Sequence, residues 1–276
     1  MTGPLTGKAM RLPIYQVDAF TDRVFAGNPA AVVPLDSWLP DAQLQAIAAE
    51  NNLAETAFFI RSGTEFELRW FTPAVEVELC GHATLATAFV ISTILEPGRA
   101  RMDFATRQAG TLTVTRDGDR YTLDFPNRPP QPAESPDPTL LAALGGPAPV
   151  AILSGRDYLV VYDSADAVRA LTPDMALLSK LDMWAVCVTA PGDASGEDGV
   201  DFVSRLFAPA QGIPEDPVTG STHCMLTPYW AERLGKTVLT ARQVSARGGE
   251  LLCELAGDRV KIGGQAVLYL EGSILV

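Results

Sequence analysis

The chain reads as an α+β protein built from two similar halves, and three observations predict this. A stretch from Phe66 to Val90 returns from Phe202, with Phe66, Arg69, Phe71, Pro73 and Ala74 recurring as Phe202, Arg205, Phe207, Pro209 and Ala210, each 136 positions on. After three inserted residues the offset becomes 139, so that Gly81 meets Gly220, His82 meets Ser221, and Gly110, Leu112, Gly118, Asp119 and Arg120 meet Gly249, Leu251, Gly257, Asp258 and Arg259. Strand-like and helix-like runs also follow one another in matching order in the two halves. A unit of this length, present only twice, is not a solenoid repeat. Each half is therefore expected to be a domain with its own core, and the space between them is the first place to seek a site.

In order, Leu12 to Phe20 alternates as a strand, and turn residues to Asn28 lead into a second apolar run, Ala30 to Leu35, predicting a hairpin. Asp41 is expected to cap a helix with Leu44, Ile47 and Ala48 on one face, closed by Asn51 and Asn52. Strands are predicted over Leu53 to Ile60 and Phe66 to Phe71. At Gly81 a tight turn gives way to a helix through Leu85, Ala88 and Phe89, with His82 at its N-terminus. Thr111 to Arg116 and Tyr121 to Phe125 flank Asp117-Gly118 as a hairpin.

Six prolines between Pro126 and Pro138 make residues 127–138 the expected linker between a domain of residues 1–126 and one of residues 139–265. The second half is expected to hold strands at Val150 to Leu153, Tyr158 to Val161, Ala185 to Thr189 and Phe202 to Phe207. A helix is predicted near Ala165 to Leu171, and another from about Ser221 that Pro228 must kink or interrupt. Ala266 to Val276 is an apolar strand without a counterpart after Phe125, and it is expected to return to the first half's sheet.

Composition narrows the function. A net charge of −12 and a pI near 4.6 disfavour nucleic acid and anionic membrane surfaces, which need clustered Lys and Arg. Met1 to Arg11 has no apolar segment of a leader, and Ala83 to Leu95 is too short and too hydroxyl-rich to span a bilayer. Four cysteines, at 80, 187, 224 and 253, form no CxxC pair, which suits a reducing cytoplasm.

Both histidines of the chain, His82 and His223, fall in the repeated motif. At a helix N-terminus, imidazole and the free amides after Gly81 and Gly220 make a site for a substrate carboxylate, where a side chain on either glycine would intrude. The glycines also fit a plainer role in two strand-to-helix turns. Glu55 is the favoured proton-moving group, because Leu53, Ala54, Ala57 and Phe58 would desolvate it; the alternative is an exposed charge on a strand edge. Asp216 is a second candidate, or else a turn former before Pro217. Cys80 has Thr219 as its repeat partner, so a matched pair of thiol bases is absent, and Cys224 is expected to be buried. Cys80, His82, His223, Cys224 and Asp216 could each bind a metal, but their spacing matches no common zinc pattern, and no metal is expected. No dinucleotide, nucleotide or serine-hydrolase motif is present.

At these residues the chain resembles the PhzF family, phenazine-biosynthesis-like proteins with the diaminopimelate epimerase fold. The resemblance spans nearly the whole chain and rests on four blocks. These are Asp18-Ala19-Phe20 with Gly27-Asn28-Pro29-Ala30-Ala31-Val32, Asn52-Leu53-Ala54-Glu55-Thr56-Ala57-Phe58, Cys80-Gly81-His82-Ala83-Thr84, and Asp216-Pro217-Val218-Thr219-Gly220-Ser221. It implies two domains, each a mixed sheet around a central helix, a cleft between them, and a homodimer. It also implies an isomerase that moves a proton without cofactor or metal, with Glu55 as the acid–base group and His82, Asp216 and Ser221 beside it. Glu55, His82 and Asp216 are thus the expected catalytic residues, and Cys80, Gly81, Gly220 and Ser221 the expected substrate-binding ones. The expected ligand is a small carboxylate. An amino-acid racemase or epimerase using Cys80, and a non-catalytic binding protein on the same fold, are the alternatives.

Overall fold

The structure is a computed structural model that describes residues 10–193 and 199–276; the N-terminal stretch read for a leader lies outside them up to residue 9. The first half runs β1 (Arg11–Ala19), β2 (Asn28–Leu35), α1 (Asp41–Asn51), β3 (Glu55–Ser62), β4 (Glu65–Phe71), β5 (Glu76–Val77), α2 (Gly81–Val90), β6 (Arg101–Thr106), β7 (Thr111–Asp117) and β8 (Arg120–Pro126). The second half begins with β9 (Gln131–Pro132), α3 (Thr139–Leu144), β10 (Ala151–Ser154), β11 (Tyr158–Val161), α4 (Ala165–Ala170), α5 (Met175–Leu178), β12 (Val186–Pro191) and β13 (Phe202–Ala208). It ends with β14 (Ile213–Asp216), α6 (His223–Leu234), β15 (Val238–Gln243), β16 (Gly249–Ala256), β17 (Arg259–Gly264) and β18 (Ala266–Leu275).

The duplication is visible in the pairing. β1–β2 is antiparallel, β2–β3 parallel, β3–β4 antiparallel, β4–β6 parallel and β7–β8 antiparallel. The same senses recur in β10–β11, β11–β12, β12–β13, β13–β15 and β16–β17. The repeated arginines also do the same work. Arg69 forks onto Glu76 at 2.7 and 2.8 Å and stands over Phe71, while Arg205 forks onto Glu215 at 2.7 and 3.0 Å and stands over Phe207. Each bidentate pair ties a strand to the chain that follows it, on the way to the glycine ahead of the helix.

The ends cross over. β18 pairs antiparallel along all of β1, and β9 pairs antiparallel with β10, the second-half counterpart of β1. The C-terminal strand therefore does have a counterpart after Phe125, contrary to the sequence reading. Proline supplies no ladder N–H, which keeps β9 to two residues inside the Pro-rich segment. β8 also pairs with β17, so the sheets of the two halves are joined edge to edge.

α2 packs against β1, β2, β3, β7 and β8, strands from both ends of the first half's sheet, which curls around it. Nearly every residue of α2 is buried, as its even run of Ala, Leu, Thr and Gly requires. Its buried hydroxyls are satisfied inside the helix, Thr84 donating to the Cys80 carbonyl at 2.6 Å and Thr87 to that of Ala83 at 2.7 Å. One apolar cluster takes in Leu85 of α2, Leu226 and Trp230 of α6, Phe125 and Ile262, so the central core runs through both halves. Smaller clusters lie under α1 and under α3 to α5.

Two local expectations are corrected. Asp41 is the first residue of α1 and not its cap; Pro40 holds the cap position without a side-chain bond, and the Asp41 carboxylate pairs with Arg69 at 2.9 Å. Pro228 does not interrupt α6. Proline leaves the carbonyl four residues earlier without its helical donor, and here that carbonyl, of Cys224, accepts from the Arg128 N–H at 3.0 Å. Among the described residues no helix is long and apolar enough to cross a membrane.

Candidate active site

Glu55 opens β3, Cys80 and His82 flank the start of α2, Asp216 ends β14, and Ser221 precedes α6. All five, with Gly81 and Gly220, line one cavity of about 620 Å³. The two helix N-termini converge there, because a Cβ on Gly81 would lie 3.8 Å from the Cα of Gly220. That contact revises the reading of the glycines. Neither has a positive φ, so neither is needed for a turn, and a side chain on either would point at the other and at Phe125 or Phe20. The two helix ends touch at these glycines, with room for no more than a small side chain.

His82 is the hub. It is 5% exposed, with Nε2 3.1 Å from Glu55 Oε2 and Nδ1 3.2 Å from Asn28 Nδ2 and 3.5 Å from Cys80 Sγ. The Glu55 contact is close but off the hydrogen-bond line, so both atoms keep a bonding direction unspent. Burial opposes charge on His82, yet the acidic groups of Cys80 and Glu55 beside it hold its pKa well above the ordinary imidazole value. The Cys80 thiol is itself pushed up to about 11, by burial and then by the Glu55 charge. Glu55 is thus the anion that keeps His82 charged near neutrality.

Asp216 reaches the same hub from the second half. One carboxylate oxygen accepts from Asn28 Nδ2 at 2.8 Å and the other from the Thr219 hydroxyl. Burial raises its pKa to about 6, with the Glu55 charge adding to this and His82, Thr219 and Asn28 pulling the other way. Asp216 is therefore poised to exchange a proton near neutrality.

Part of the sequence argument for Glu55 fails on geometry. Successive strand residues face opposite ways, so Ala57 and Phe59 share Glu55's face in the central core while Phe58 lies in the cluster under α1. Phe58 cannot desolvate Glu55. Burial still does so, since Glu55 is only 8% exposed.

His223 does not join the site. It is the first residue of α6 and faces the core. There His223 is fully buried, stacked toward Phe202, its Nδ1 bonding the Thr219 carbonyl at 2.9 Å. Burial lowers its pKa to about 4, and it is neutral. Cys224 is buried, as expected, with its thiol pushed up to about 11 by that burial.

Sequence reasoning missed the cavity's cations and aromatic wall. Arg156 stacks 4.2 Å over Trp184, forks onto Asp157 at 3.0 and 2.9 Å, and brings Nη2 to 3.5 Å from Ser221 Oγ. Arg128 lines the same cavity. Arg156 sits in the turn between β10 and β11, where nothing periodic marks it. Asn28 stood in a quoted motif but was given no role.

Glu55, Cys80 and His82 are also the one group of three potential metal ligands among the described residues. Cys80 approaches Nδ1 and Glu55 approaches Nε2, so they flank the ring rather than converge on one of its nitrogens. This donor set suits proton movement better than a metal.

A family model for phenazine biosynthesis-like proteins matches residues 17–272. The chain belongs to the PhzF family. A protein named an uncharacterized isomerase in Pseudomonas aeruginosa is 53% identical to this PhzF-family chain over 265 residues, covering 96% of it and 99% of the relative. The crystal structure of a PhzF-family protein from Enterococcus faecalis is 47% identical, with a TM-score of 0.91, covering 97% of this chain and 100% of that one. A hydroxyproline epimerase from Agrobacterium vitis, at 12% identity and a TM-score of 0.58 over 98% and 93% of the two chains, shares the fold alone. The fold is thus α+β and diaminopimelate epimerase-like, as the motifs implied.

Proposed function

We propose that this chain is a cofactor-independent isomerase that moves a proton on a small carboxylate-bearing substrate, in the cavity where its two halves meet. The observation that carries this reading is the convergence on His82 of Glu55 from the first half and Asp216 from the second. Two carboxylates and an imidazole within one coupled network can accept a proton at one carbon and return it at another. Glu55 takes the proton from carbon. His82, charged by its neighbour, and Asp216 bind the substrate or relay protons. Ser221, the amides after Gly81 and Gly220, and the Arg156 guanidinium hold the carboxylate.

The relatives named as isomerases support the reaction class. Epimerisation by Cys80 is disfavoured, because a thiol raised to about 11 is protonated and makes a poor base at neutral pH. Its repeat partner Thr219 is engaged with Asp216. A cytoplasmic homodimer with domains of residues 1–126 and 139–265 completes the proposal.

The test is a screen of cyclic amino acids and dihydroaromatic acids by NMR in deuterated water. A substrate takes up deuterium at carbon with the wild-type chain and not with Glu55→Gln. Uptake abolished by Cys80→Ala would favour the epimerase, in which Cys80 and Glu55 are opposing bases, and no uptake with any tightly bound acid would favour a binding protein.

A further inference from the structure

We propose that Arg156 is the specificity-determining residue of the cavity, selecting a ligand by its carboxylate, and that Asp157 is the positioning residue that aims it. The inference rests on the proposal that a carboxylate-bearing substrate enters this cavity. The strand registers show how differently the two halves furnish it. Thr56 lies opposite Phe71, and Val186 lies opposite Phe207, the repeat partner of Phe71. Glu55 therefore has Ala185 as its counterpart, just as Cys80 has Thr219 and His82 has Ser221. At these three places the second half carries no acid or base. What it brings to the cavity instead is Trp184, next to Ala185, and Arg156 stacked 4.2 Å over that ring.

A guanidinium has two edges that can fork onto a carboxylate. The side-on edge of Arg156, Nε with one hydrogen of Nη2, is spent on Asp157 Oδ1 and Oδ2 at 3.0 and 2.9 Å. The end-on edge, Nη1 with the second hydrogen of Nη2, stays open. Its Nη2 stands 3.5 Å from Ser221 Oγ, the outer limit of a hydrogen bond, and its Nη1 has no partner among the described residues. A carboxylate forked onto this edge lies beside the Ser221 hydroxyl, ahead of α6. Asp157 is only 2% exposed, and Arg156 is the one side chain that bonds its carboxylate among the described residues. A buried carboxylate paired with arginine adds little net stability over apolar side chains of like size, so what this pair supplies is direction. Trp184 holds the guanidinium by its face and Asp157 by one edge, and the open edge is aimed before any ligand arrives. Arg128, the other cation of the cavity, is exposed and has no such fork among the described residues.

The test is the binding of benzoate and of benzamide, its uncharged isostere, followed by ligand-observed NMR at neutral pH. Wild type should bind benzoate the more tightly. Arg156→Lys still neutralises Asp157 but has no second edge to offer, and it should cut that preference on the order of 10- to 100-fold. Asp157→Asn keeps the arginine's charge and loosens its aim, and it should cut the preference about tenfold, with benzamide affinity little changed. A wild type that binds the two alike overturns the proposal, as does an unchanged preference in folded Arg156→Lys. An unchanged preference in folded Asp157→Asn, or an equal loss of both ligands, would make Asp157 structural and overturn its part. Should Asp157→Asn not fold, Arg156→Lys decides, because it leaves the buried carboxylate paired. Binding needs no turnover. Selection that depends on Arg156, found alongside normal turnover by Glu55→Gln, would sink the proton-moving reading and leave this one intact.

Discussion

Glu55 and Asp216 differ in what a neutral isostere should remove. Glu55→Gln keeps shape and bonding reach but carries no proton, so turnover of an identified substrate should fall on the order of 10² to 10⁴, with ligand affinity much less affected. Normal turnover by Glu55→Gln beside a dead Asp216→Asn would make Asp216 the base. The buried titratable groups also set how stability depends on pH. His223 drops from 6.5 to about 4 on folding, so between those values the unfolded chain binds more protons and stability falls as pH is lowered. Asp216 rises from 3.8 to about 6, so its contribution has the opposite sign and is lost as pH rises through that range. Urea unfolding from pH 4 to 7 should separate the two. The two windows overlap with opposite signs and offset each other in the wild type, so His223→Gln should expose a loss of stability as pH rises from 4 to 6, and Asp216→Asn a loss as pH falls through the same range. Parallel curves for wild type and both variants would show that neither group titrates as its burial dictates.

At the scale of elements, the N-termini of α2 and α6 meet at Gly81 and Gly220. A methyl on Gly81 finds only ordinary contacts, the nearest at 3.7 Å on Phe125, and one on Gly220 meets Phe20 at 3.5 Å. Gly81→Ala and Gly220→Ala should therefore fold with little loss, whereas valine at either position has to push the helix ends apart, at about 1 to 3 kcal/mol for an overpacked contact. Denaturant midpoints decide this. Valine variants as stable as wild type, but unable to bind, would return the glycines to a role in the substrate's space alone. The helix through Pro228 carries a related lesson. A breaker judged from its own segment can be neutralised by a donor more than 90 residues away, here the Arg128 amide.

At the scale of the molecule, β18 closes the first half's sheet on β1, and among the described residues no strand pairs with its other edge. Tyr269, Leu270 and Leu275 of that strand are exposed, and Phe25 packs edge-on against Tyr269. An open edge with apolar side chains is a template for another strand, and the proposed homodimer would cover it. Sedimentation should give twice the 29.4 kDa chain mass, and Leu270→Lys should shift the population toward monomer. A wild-type monomer at micromolar concentration would remove the homodimer from the proposal.

The sequence by itself determined the duplication, the order of most strands and helices, and the motif residues Glu55, Cys80, His82, Asp216 and Ser221. These are legible because periodicity, turn chemistry and repetition are local properties of a chain. Even the return of a strand to the first half was readable from its apolar run. Only the tertiary structure decided which motif side chains face one another. Both histidines fall in the repeated motif, but His82 at the start of α2 faces the cavity while His223 at the start of α6 faces the core. The alternation of β3 removed Phe58 from Glu55's surroundings, and Arg156, Trp184 and Asn28 acquired their positions from strand pairing and from the approach of the two halves. Contacts between residues such as Asn28 and Asp216, 188 positions apart, depend on how separately specified elements pack, and no short window of sequence contains that information.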